Sequence, residues 1–111
     1  MTSMSFETPS NIGTRDLVRA WLDAIITSDI EGSVVEVDCA PLKSPTPSFF
    51  DELLRILVVE RDAKTVTLRN VNQRAQALAF RSANNRHIQD RLAILDPIQD
   101  PKDSLIKRIL R

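Results

Sequence analysis

Two runs with the signature of β-strands, Ser33–Ala40 and Lys64–Val71, are set apart by a segment whose apolar residues recur at helical spacing, and further helical segments flank them. This alternation constrains the fold more than any other feature. Parallel strands cannot be joined by a tight turn; they need a crossover of a dozen or more residues, usually a helix. The order helix, strand, helix, strand, helix therefore predicts βαβ units and a small single-domain α/β sandwich, expected as a mixed sheet with helices packed on it.

The first helix opens at Thr14, a good N-cap, with Asp16 in the first turn where the dipole favours an anion. Leu17, Val18, Trp21, Leu22, Ile25 and Ile26 form its apolar stripe, and Arg15, Arg19 and Asp23 lie off it. The run Ser33–Ala40 is β-branched and mostly apolar, which suits a strand covered on both faces, and Pro41 ends it. Pro45 and Pro47 then hold the chain extended. Ser48 is expected to cap the second helix, with Asp51 completing a capping box. Phe49, Phe50, Leu53, Leu54 and Leu57 give that helix, 48–60, a broad apolar face. Lys64–Val71 alternates polar and apolar residues. Asn72 caps a third helix with Ala75, Leu78, Ala79 and Ala83 inward, and Asn84-Asn85 supplies its left-handed end. Residues 86–95 fit either a helix or a short strand.

The organisation expected is an N-terminal arm or edge strand over 1–12, the α/β domain over 13–95, and a linker with an amphipathic helix over 96–111. In that last segment Asp100-Pro101-Lys102-Asp103 reads as a helix start, followed by Leu105, Ile106, Ile109 and Leu110 as a stripe. At 111 residues, 42% apolar and 27% charged, the chain can bury one modest core. No apolar run is long enough to span a membrane and no leader pattern opens the chain, so the expected compartment is the cytoplasm. The 15 basic and 15 acidic side chains balance, but unevenly: residues 1–68 hold 11 acids and 6 bases, and residues 69–111 hold 4 acids and 9 bases. Opposite-signed halves of this kind are expected to satisfy each other in the fold.

The chemical inventory is thin. Two glycines exclude a Gly-rich phosphate loop, and the single Cys39 excludes an internal disulfide and reads as a core thiol. His87, the only histidine, lies in a polar run and reads as a surface residue. Adjacent Asp51 and Glu52 point about 100° apart on a helix and read as partners of the helix dipole rather than a catalytic pair. No metal-ligand spacing is present, and the expectation is a protein without enzyme activity, cofactor or metal. A rival reading takes Arg74, Arg81, Arg86 and Arg91 as a nucleic-acid stripe, although the few aromatics fall on apolar stripes and are poor stacking platforms.

Val34-Val35-Glu36-Val37-Asp38, a loop, and Pro47-Ser48-Phe49-Phe50-Asp51-Glu52-Leu53-Leu54 resemble the STAS-like domains of bacteria, in which a strand ending in Asp leads to a Ser-Ser-Phe-Ala-Asp-Glu-Leu helix start. Thr14-Arg15-Asp16 and the unit Thr65–Val71 with Asn72-Gln73 are similar to the same group, and the resemblance covers residues 13–85. It implies kinship with anti-sigma-factor antagonists, regulators that bind GHKL-type ATPase kinases through an Asp-Ser-Ser-Gly loop. In this chain Thr46, Pro47, Ser48 and Phe49 take those four places, so proline replaces the usual phosphoacceptor and the phosphate moves to Ser48 or Thr46, or is absent. The implied partner surface is loop 42–48 with helix 48–60, carried by Thr46, Ser48, Asp51, Glu52 and Arg55. A further alternative is a self-assembling subunit, a homodimer held by the helix 101–111.

Overall fold

A computed structural model describes residues 3–95, so the expected helix 101–111 lies outside the described residues. The elements are β1 (Ser3–Glu7), α1 (Arg15–Ile25), β2 (Val34–Asp38), α2 (Pro47–Leu54), β3 (Thr65–Arg69), α3 (Gln73–Asn85) and β4 (Leu92–Ile94). A π-helical segment, Arg55–Glu60, extends α2, and a 3-10 turn, Gln89–Arg91, precedes β4. The four strands form one sheet in the order β1-β2-β3-β4, parallel throughout.

The sheet is thus parallel rather than mixed. The N-terminal segment is an edge strand, and α1 carries the chain back so that β2 lies parallel to β1, with Met4 opposite Val35 and Phe6 opposite Val37. Each connection steps one strand over in the same direction. With the right-handed sense that such crossovers take, all three helices fall on one face. The burial pattern follows: Val35, Val37, Val66 and Leu68 are fully buried under the helices, whereas Glu36 and Arg69 pair at 2.6 Å on the opposite, half-open face. Ser33–Ala40 is therefore covered on one face only, and Val34 remains half-buried.

The core is continuous from α1 to α3. Trp21 stacks on Phe49 with ring centroids 6.1 Å apart, and meets Phe6 edge-on at 5.4 Å; Phe49 meets Phe50 edge-on at 5.0 Å. Phe49, Phe50, Leu53, Leu54, Ile56 and Leu57 are all fully buried, each worth about 1.5–3 kcal/mol of transfer free energy. These six residues come from α2 and its extension, so the middle helix anchors the layer. Leu17, placed on the apolar stripe of α1 by spacing, is exposed at 53%, and Val59 of the π-helical segment at 57%.

The caps refine the local reading. Thr14 and Asn72 accept from the N–H groups of Leu17 and Ala75, as expected. The cap of α2 is Thr46, not Ser48: its Oγ1 accepts from the Phe49 N–H at 3.0 Å, and Pro47 occupies the first helical position. Asp51 then belongs to no capping box. α3 runs through Asn84-Asn85, and the left-handed residue beyond it is His87 (φ 57°). Residues 86–95 resolve into the 3-10 turn and β4.

Candidate functional site

The loop entering α2 is fixed by two contacts with the β1–α1 connection. The Lys43 N–H donates to the Ser10 carbonyl at 3.0 Å, and the Thr46 hydroxyl donates to the Gly13 carbonyl at 2.9 Å. One side chain thus caps α2 and ties its loop to the segment leading into α1. Gly13 permits the approach, since a Cβ there would stand 3.3 Å from Thr46 Cγ2.

Beside this loop a cleft of about 240 Å³ opens. Arg15 from α1, Pro47, Ser48 and Asp51 from α2, and Leu78, Arg81, Ser82 and Asn85 from α3 line it. Asp51 links the three helices. Arg86 grips it with two bonds of 2.7 Å from Nε and Nη2, and Arg15 Nη1 reaches it at 2.6 Å. The Arg86 hydrogen bonds, reinforced by Arg15, hold the Asp51 carboxyl at about 2, below its ordinary 3.8.

Glu52, the next residue on α2, shares Arg15 Nη1 with Asp51. It is 3% exposed and surrounded by arginines: Arg55 binds both its oxygens at 2.9 and 2.6 Å, Arg15 approaches at 3.4 Å and Arg19 at 3.8 Å. The bonds from Arg55 lower its pKa despite burial. Arg55 and Arg19 also bind Glu60 at 2.6 and 2.5 Å, which fastens the π-helical extension to α1. A buried charge of this kind requires such partners, because desolvating it alone would cost several kcal/mol.

Of the residues the sequence singled out, Ser48 and Asp51 line the cleft and Thr46 holds its edge. Glu52 and Arg55 instead lock helices together, so Glu52 is closed to a partner. Asp51 and Glu52 are tertiary ion-pair partners rather than partners of the helix dipole. The arginine stripe is divided. Arg86 is committed to Asp51, and Arg91 to Asp62 at 2.7 Å and to the Ala63 carbonyl. Arg74 and Arg81 are exposed and make no ion pair among the described residues. Cys39 is a core thiol, pushed up to about 12 by burial.

Sequence reasoning passed over Arg15, Arg19, Leu78, Ser82 and Asn85. A signal existed for the first two: they stand four apart on one side of the α1 stripe, matching an acid pair on the next helix. Among the described residues, no three His, Cys, Asp or Glu side chains come together to hold a metal ion, and no helix is long and apolar enough to cross a membrane. Comparison of the chain with family models, with curated proteins and with solved structures returned no match.

Proposed function

We propose that the chain is a STAS-like, non-catalytic interaction module that docks a protein regulator, of the GHKL-type ATPase or kinase-like class, through loop 42–48 and the first turn of α2. The observation that supports this reading is the fixed loop at Thr46, which presents a half-exposed Ser48 at the rim of a cleft shared by all three helices. A surface held by two bonds to the β1–α1 connection loses little entropy on docking. Because Glu52 is buried, the contact patch consists of Ser48, Asp51, Arg15 and Arg81 rather than the length of helix 48–60.

Ser48 also serves as the site of modification in this reading. A phosphate there would meet no uncompensated carboxylate, since Asp51 and Glu52 are already covered by arginines. The local sum, five arginines (15, 19, 55, 81 and 86) against Asp51, Glu52 and Glu60, is +2 and favours a dianion.

The test is affinity capture from a lysate of the native host, with and without Mg-ATP, using wild type, Ser48→Ala and Ser48→Asp. An ATPase recovered by wild type and Ser48→Ala, and weakened by Ser48→Asp, is the expected result. Recovery of nucleic acid alone, or of the chain alone, equally with all three baits, refutes the reading.

A further inference from the structure

Resting on the docking reading, we infer that the cleft between α2 and α3 seats the carboxylate of an acidic side chain carried by the partner. The cleft has surplus cation. Arg81 is exposed and makes no ion pair among the described residues. Arg15 spends only Nη1 on its two acids, which leaves Nε and Nη2 for a further acceptor. Asp51, the one acid lining the cleft, is offset by the bidentate grip of Arg86.

Neutral donors complete the site. Ser82, from α3, lines the cleft at 6% exposure. Ser48 and Asn85 line the same space. Leu78 supplies an apolar wall for the methylenes that carry a carboxylate.

The start of α2 argues for carboxylate over free phosphate. A phosphate cradle is built from free backbone N–H groups. Here Pro47 has none, the Phe49 N–H goes to Thr46 Oγ1, and the Phe50 N–H goes to the Thr46 carbonyl, which leaves only that of Ser48. Recognition therefore falls to guanidinium groups, whose planar fork matches a carboxylate.

The experiment titrates the full chain with N-acetylglutamate amide at constant ionic strength, with N-acetylglutamine amide as the neutral comparison, and reads arginine Nε–H and backbone amide resonances by NMR. Saturable shifts at Arg15, Ser48, Arg81, Ser82 and Asn85 are expected, with the acid binding about tenfold tighter than the amide, the scale of one charge-assisted bond. Arg81→Gln should weaken the acid about tenfold and Arg81→Glu abolish saturation. Arg74→Glu, the same charge change two turns away on α3, should leave binding within about twofold, as expected for a site outside the contact. Equal losses in Arg74→Glu and Arg81→Glu, or equal binding of acid and amide, overturn the inference. Saturable, Arg81-dependent binding with no ATPase captured would refute the docking reading and leave the carboxylate site standing.

Discussion

Replacing Asp51 with Asn removes one charge from the junction of α1, α2 and α3 while nearly preserving its shape. The cost follows from the displaced ionisation. A carboxyl held at about 2 instead of 3.8 favours the folded state by about 2.5 kcal/mol when fully ionised. Arg15 is 49% exposed at the side chain, and solvent screening there brings the expected loss to about 1–2 kcal/mol. For a domain of this size that corresponds to about 5–12 °C in Tm. The pH dependence has a definite sign. The pKa is lower in the folded chain than in the unfolded one, so the stabilisation is complete above about pH 5, declines from about pH 4 and is gone below about pH 2. Urea unfolding followed by the fluorescence of Trp21, which stacks on Phe49, reads the difference directly. The gap between wild type and Asp51→Asn should fall to about half between pH 7 and pH 3. A gap below about 0.5 kcal/mol at pH 7, or one that does not change with pH, would refute the assignment of Asp51 as the ion-paired link.

Thr46→Ala should destabilise by about 1–2 kcal/mol, because it removes both the cap of α2 and the bond to Gly13, whereas Ser48→Ala should stay within about 0.5 kcal/mol; thermal melts of the two variants separate them, and the reverse order would return the cap to Ser48. Cys39, 5% exposed with its thiol pushed up to about 12, should resist a thiol reagent at pH 8 in the native protein and react fully in urea; rapid native labelling would contradict its place in the core.

Periodicity made much of this fold legible. The alternation in Thr65–Arg69 matches its burial residue by residue, and Thr14 and Asn72 cap their helices as their side chains suggest. The errors have physical causes. Val34 made β2 look covered on both faces, but a β-branched residue favours extended backbone whether or not anything covers it. The choice of Ser48 as cap weighed hydroxyl chemistry and neglected proline. Pro47 suits the first helical position, where its missing N–H costs nothing, and that places the cap one residue earlier, at Thr46. Leu92–Ile94 is too short for its period to separate strand from helix, and only pairing with Val66–Leu68 decides it.

The site was less legible because its charges pair across the chain. Asp51 meets Arg15 and Arg86, 36 and 35 residues away, and no local window joins them. The division of charge between the two halves of the sequence did carry this information in coarse form. Arg69 meets Glu36, Arg86 meets Asp51 and Arg91 meets Asp62, each a base from the basic half on an acid from the acidic half. Such pairing consumes two members of the arginine stripe and leaves Arg74 and Arg81. What marks a surface for an acidic partner is therefore the cation left over after the fold has satisfied itself, not the number of arginines in a segment. By that criterion Arg81, which lines the cleft together with Arg15 and the buried Ser82, is the residue on which the inferred carboxylate site depends.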